Sequence, residues 1–118
     1  MTPLDIVKVT VKALDGKKAY DICAIDVEEV STLADYFVIA TGSSSTQIKA
    51  LADEVEFRLK QEGINVNHIE GHRSNSWVLL DYGSVIVHVF SEEARDFYDL
   101  DRLWKDGKDI DISDILID

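Results

Sequence analysis

Apolar positions recur at helical spacing in two segments of the chain and alternate with polar ones in several others. Leu4, Val7, Val11 and Leu14 fall on one face of a 3.6-residue period. Ahead of them, Thr2-Pro3-Leu4-Asp5 reads as a helix start, with Thr2 as N-cap, Pro3 at the first helical position and Asp5 in the first turn. The β-branched residues Ile6, Val7, Val9, Thr10 and Val11 work against this helix, and Asp15-Gly16 ends it. Residues 20–27 alternate as a strand. Residues 36–40 are nearly all apolar, as in a strand buried on both faces at the centre of a sheet. Ile48, Leu51, Ala52, Val55 and Leu59 then predict an amphipathic helix over 45–62, stopped by Gly63. A short strand over 64–69 follows.

The most regular stretch is SWVLLDYGSVIVHVF, residues 76–90, in which two β runs flank Asp81-Tyr82-Gly83-Ser84 as a hairpin. A Tyr82-Gly83 turn sets Asp81 opposite Ser84, Leu79 opposite Ile86 and Trp77 opposite His88. Those six share one side of the sheet. Val78, Leu80, Val85 and Val87 share the other, which is purely aliphatic and therefore the core side. A helix over 92–104 turns Ala94, Tyr98 and Trp104 inward or toward a partner. From Asp106 onward, five aspartates and one lysine are interleaved with Ile110, Ile112, Ile115, Leu116 and Ile117. That tail is expected either to be poorly ordered or to add a loose edge element. The element order α-β-β-α-β-β-β-α predicts an α/β (α+β) fold with one mixed sheet of about five strands flanked by helices. One domain is expected over 1–105, followed by an acidic tail over 106–118.

A length of 118 residues suits one domain with a real core. Apolar runs are only a few residues long, so no membrane span is expected. The first residues lack a basic region followed by an apolar one, so no signal peptide is expected and a cytoplasmic location fits. Cys23 is the single cysteine and sits in an apolar-periodic stretch, as a buried structural thiol does. Twenty-three acids against twelve bases give a net charge of −11. Such a chain repels nucleic acid backbones and anionic membranes at long range. The acidity either serves solubility alone or suits a basic protein partner.

The turn after the central strand, Thr41-Gly42-Ser43-Ser44-Ser45, raises the possibility of a phosphate cradle at a helix N-terminus. A P-loop needs a second glycine and a lysine that are absent here, and the dinucleotide fingerprint G-x-G-x-x-G is absent too. Nucleotidyltransferases pair such a turn with two strand carboxylates. Asp81 is alone in the hairpin strands, so two-metal chemistry lacks a ligand. The turn at residues 42–45 therefore reads as a helix cap, with Ser43, Ser44 or Ser45 capping and Gln47 and Lys49 on the surface. His68 and His72 have i, i+4 spacing, but on a strand they lie roughly 13 Å apart, beyond one metal's reach. No metal or cofactor is expected. His88 forms no legible triad and instead packs on Trp77. The face of Trp77, Leu79, Asp81, Ser84, Ile86 and His88 mixes amphipathic rings with apolar and acidic groups. It is either covered by a helix or left for a partner, and it reads as partner-binding.

Several motifs resemble one family. DYFVIATGSS starts at Asp35, EG at Glu70, SWVLLDYGSVIVHV at Ser76 and EARDFYDLDRLW at Glu93. In this order and spacing they resemble the ribosomal silencing factor S proteins, also called the Iojap family, over about residues 3–105. The resemblance implies a mixed-sheet α/β fold similar to nucleotidyltransferase domains but without their catalytic carboxylates, and a homodimer. It implies a non-enzymatic factor that binds the large ribosomal subunit through the basic ribosomal protein at position L-fourteen. Bound there, it blocks joining of the small subunit and represses translation when nutrients are short. Organellar relatives act in large-subunit assembly. Trp77, Asp81, His88, Arg95, Tyr98, Leu100 and Trp104 match motif positions, and all but Arg95 are taken as the partner-binding set. A nucleotide-binding enzyme using the turn at 42–45 is the alternative from another class.

Overall fold

The computed structural model describes residues 1–71, 76–98 and 106–116. The elements are α1 (Pro3–Gly16), β1 (Tyr20–Asp26), β2 (Tyr36–Gly42), α2 (Ser45–Gln61), β3 (His68–Glu70), β4 (Trp77–Asp81), β5 (Val85–Ser91), α3 (Glu92–Tyr98) and β6 (Lys108–Ile110).

The first helix starts as its sequence dictates. Thr2 Oγ1 accepts from the Asp5 backbone N–H, and the Asp5 carboxylate accepts from the Thr2 N–H, each at 3.1 Å. Those bonds hold the Asp5 carboxyl below the usual carboxylate range. The β-branched residues do not break the helix because, Val9 apart, they are the ones it buries. Ile6, Val7, Thr10 and Val11 join Ala13 and Leu14 in its buried face, and packing outweighs intrinsic propensity. Leu4, expected on that face, is 37% exposed. The second helix closes in a Schellman arrangement. Gly63, at φ +80, donates to Lys60 O at 3.0 Å, and Ile64 donates to Leu59 O at 2.9 Å. This explains why the expected strand over 64–69 shrinks to three residues: Ile64 still belongs to the helix cap, and pairing starts only at His68 opposite Asp81.

Among the described residues the sheet has six strands in the order β3-β4-β5-β2-β1-β6. Among these described strands only β2 and β5 run parallel, joined by the long connection through α2; the other pairings are antiparallel. β2 is central, as its apolar run predicts. One face packs on α1 and α2. Val38, Ala40, Val78, Leu80, Val85, Val87 and Val89 there meet Val7, Val11, Leu14, Ile48, Leu51, Val55 and Leu59. The aliphatic side predicted from the hairpin is thus the main core. A second cluster on the opposite face contains Ile25, Val27, Ala34, Phe37, Ile39, Phe90 and Ala94, contributed by the strands, the segment after β1 and α3.

The hairpin register differs from the expected one by two residues. Trp77 lies opposite Phe90, Leu79 opposite His88 and Asp81 opposite Ile86. The turn is Gly83-Ser84, closed by Tyr82 N–H to Val85 O at 2.9 Å, with Gly83 at φ +83. Positive φ is needed at the first central position of such a turn. A Tyr82-Gly83 turn would place the tyrosine there, which is why the chain slides by two. An even shift leaves every side chain on its predicted face.

The acidic tail adds an edge element. β6 pairs with β1, placing Ile110 beside Ala24 and Lys108 beside Asp26, and Ile112 is only 9% exposed in the main core. Leu100 and Trp104 lie outside the described residues. No helix among the described residues is long and apolar enough to cross a membrane.

Candidate functional site

The glycine–serine turn is locked from within. Ser44 caps α2, its Oγ accepting from the Gln47 N–H at 3.1 Å. Gln47 is not a surface bystander, as the sequence suggested. Its Oε1 accepts from the Ser43 backbone N–H and, at 2.7 Å, from Ser43 Oγ. Its Nε2 donates to Lys17 O at 3.2 Å and Lys18 O at 3.1 Å, tying the turn to the α1–β1 connection. A side-chain oxygen therefore occupies the place where a phosphate oxygen would accept. Gly42 is required by close approach, since a Cβ there would lie 2.9 Å from Ile48 Cγ1. The adjoining cleft, about 410 Å³, is lined by Tyr20, Ser76, Ser91, Glu92 and Glu93 as well as by the turn. Its two glutamates repel a polyanion. Burial and Glu92, which accepts from the Tyr20 hydroxyl at 3.4 Å, push the Tyr20 phenol up.

His68 lies beside a carboxylate on its own strand. Its Nε2 stands 3.1 Å from Glu70 Oε1, and among the described residues no group of three or more His, Cys, Asp or Glu could hold a metal ion. His72 lies outside the described residues.

The opposite sheet face carries the aromatic group. β4 places Trp77, Leu79 and Asp81 on it, β5 adds Ile86, His88 and Phe90, and β2 adds Phe37 and Ile39. Trp77, Leu79, Asp81 and Ile86 are half-buried. The Trp77 Nε1–H donates to His88 Nδ1 at 3.2 Å. The Trp77 and Phe90 rings stack with centroids 5.0 Å apart, and Phe37 meets His88 edge-on at 5.0 Å. His88 is 4% exposed, and burial pushes its pKa down to about 4. It is therefore neutral, with Nδ1 accepting and the proton on Nε2. Asp81 stands roughly 13 Å along the strand from Trp77, and its Oδ1 accepts from the Gly83 N–H at 2.7 Å.

Of the residues expected to bind a partner, the structure brings Trp77 and His88 into contact and puts Asp81 at the other end of the same strand face. His88 is too buried to offer a broad contact of its own. Tyr98 is the last residue of α3. Arg95, matched to a motif without a role, ties α3 to the sheet. Its guanidinium donates to Asp21 O and, at 2.9 Å, to Thr41 Oγ1, with Cys23 Sγ at 3.7 Å. Asp21 has φ +50 in the irregular stretch between Tyr20 and Cys23, so Arg95 caps a carbonyl that the ladder leaves out of register. Sequence reasoning missed Gln47, Phe37 and Phe90. A glutamine three residues after an N-cap serine was the available signal for the first; the alternation that puts His88 on this face also puts Phe90 there, two residues on, and nothing local marks Phe37.

A family model described as "Ribosomal silencing factor during starvation" matches residues 1–117. A ribosomal silencing factor from Bacillus subtilis is 42% identical over 107 residues, covering 91% of each chain. A mouse protein named for mitochondrial assembly of the ribosomal large subunit is 33% identical over 97 residues, covering 80% of this chain and 42% of its own. A crystal structure of a Chromobacterium violaceum protein superposes with a TM-score of 0.87 at 40% identity, covering 89% of this chain and 88% of that one.

Proposed function

Because the chain belongs to the ribosomal silencing factor family, we propose that it represses translation by binding the large ribosomal subunit and blocking its association with the small one. The contact is made through the basic ribosomal protein at position L-fourteen, in the cytoplasm, by a homodimer without catalytic activity. The observation that carries this reading is Trp77, a half-buried indole presented by β4 in an acidic chain. Aromatic anchors supply much of the energy of protein interfaces, while acidic groups steer a basic partner and set its register. The docking set is Trp77, Asp81, Tyr98, Leu100 and Trp104, with His88 beneath. Against the nucleotide-binding alternative stand the Gln47 oxygen in the cradle and the two glutamates in its cleft.

The test sediments the protein with isolated large subunits and then adds small subunits. Co-sedimentation with slowed joining is expected, and full-rate joining with the factor bound refutes the silencing step. Trp77→Ala is expected to weaken binding by about 2 kcal/mol or more; unchanged affinity shows this face to be the wrong one. A second reading, an assembly factor at the same site, is favoured by the name of the mouse relative. Full-rate joining with the factor bound would leave that reading standing.

A further inference from the structure

His88 is an unusual choice for its position. It is 4% exposed, with Phe37 edge-on at 5.0 Å and the Phe90 ring nearly parallel to its own at 5.9 Å. A leucine or phenylalanine would fill such a site without polar atoms. The imidazole brings two nitrogens, and Nε2 is buried without a hydrogen-bond partner among the described residues. An unsatisfied buried donor is unfavourable, so among the described residues it is the bond at Nδ1 that distinguishes the imidazole from an apolar side chain. Nδ1 accepts the indole N–H of Trp77 at 3.2 Å, although Trp77 is opposite Phe90 and reaches His88 diagonally. Stacking on Phe90 fixes the plane of the indole, and the bond to Nδ1 fixes its rotation within that plane.

We infer that His88 is a positioning residue: its buried Nδ1 acceptor holds the Trp77 indole in the orientation that docks on a basic protein. The inference rests on the docking reading above. It has a physical rationale, since an aromatic ring already held in its bound rotamer loses less freedom on association. The acceptor must be neutral. Among the elements packed around it, β4 brings Asp81, whose Oδ1 takes the Gly83 N–H, and β2 brings no charged group on this face. α3 brings Glu92, Glu93, Arg95 and Asp96, with Arg95 donating to Asp21 O and Thr41. Burial alone disfavours the imidazolium.

The experiment compares His88→Asn, whose amide oxygen can stand near the place of Nδ1, with His88→Leu, which removes the acceptor. Melting curves establish that each variant is folded. In the free, isotope-labelled protein, the indole N–H resonance of Trp77 is followed, assigned with the aid of Trp104→Phe. It is expected to stay near its wild-type position in His88→Asn and to move upfield in His88→Leu. In sedimentation with isolated large ribosomal subunits, His88→Leu is expected to bind about fivefold more weakly and His88→Asn within about twofold of wild type. Wild-type affinity in His88→Leu, or equal loss in both variants, overturns the inference. Trp77→Ala, run beside them, separates the two ways of failing. If it binds weakly, only the role of His88 is wrong; if it binds like wild type, the docking face falls as well.

Discussion

Replacing Gly42 by alanine tests whether the turn at 42–45 exists to lock a helix onto a strand. A Cβ at this position would lie 2.9 Å from Ile48 Cγ1, 3.3 Å from the Ile48 nitrogen and 3.3 Å from Leu51 Cδ1. Ile48 and Leu51 are fully buried, and the Ile48 nitrogen belongs to the helix backbone, so α2 itself must shift. Overpacking of this kind costs about 1–3 kcal/mol, and the lower chain entropy of alanine in the unfolded state offsets about 0.4–1 kcal/mol of that. The net expectation is a loss of about 1–2 kcal/mol. With an unfolding entropy of roughly 0.25 kcal/mol/K at this length, Tm falls by about 4–8 °C. Gly16→Ala supplies the opposite sign. Its nearest neighbour would be the Arg58 guanidinium at 3.8 Å, ordinary contact with a flexible side chain, so a gain of about 0.5 kcal/mol is expected. Urea titrations of the wild type and both variants, fitted with a common slope, give the differences directly. A Gly42→Ala protein as stable as wild type would refute the claim that close approach explains this glycine.

The remaining expectations concern charge and ligands. His88 titrates at about 4 when folded, against the ordinary 6.5; above pH 6.5 both states are neutral and the full stability is present. As pH falls the unfolded chain takes up the proton first, so about 3 kcal/mol is lost between pH 6.5 and 4. Denaturant midpoints at stepped pH measure this, and a His88→Phe variant with the same slope as wild type in that window would contradict it. Raising salt is expected to slow association with large subunits more than it speeds release, as stopped-flow experiments would read, and a salt-independent on-rate counts against steering by the acidic surface. Nucleoside triphosphates with magnesium are expected to leave the melting temperature unchanged, because Gln47 fills the cradle; a clear rise would revive the enzyme reading.

Most of the fold was legible because its local signals agree with one another. The Thr2 cap, the apolar stripe of α2 and the two-sided apolar run of β2 each admit one reading, and packing did not override them. The failures fell where one interaction competes with another. The strand expected from Ile64 was lost to a Schellman closure that takes the same residue's N–H. The hairpin slipped by two because the demand for a glycine at one turn position outweighs simple symmetry about Tyr82-Gly83. The candidate site was half legible. Trp77 and His88 were placed on one face by alternation alone, and an even slip could not separate them. Phe37 completed the cluster unseen, because the parallel pairing of β2 with β5 joins segments about fifty residues apart, which periodicity within either segment cannot report; Phe90 follows His88 by two residues on the same strand, and the slipped register sets it opposite Trp77.

The two faces of the sheet have taken on different tasks, and the division argues for binding over catalysis. On one side the strand–turn–helix geometry that elsewhere cradles phosphate is closed: Gly42 lets Ile48 press against the strand, and Gln47 fills the donor site that an anion would use. The closed cradle ties α2 to β2 and to the α1–β1 connection through Gln47. On the other side the aromatic cluster keeps one ring half-buried and grips its N–H from beneath. A rigid back layer is what lets such a grip persist, since β4 and β5 can hold a fixed diagonal between Trp77 and His88 only if the helices behind them do not slide. Loosening the back with Gly42→Ala should therefore weaken large-subunit binding only as far as it loosens the Trp77–His88 contact. The indole N–H resonance and the binding affinity should move together in that variant. An affinity that falls while the resonance stays put would separate the two faces and break this argument.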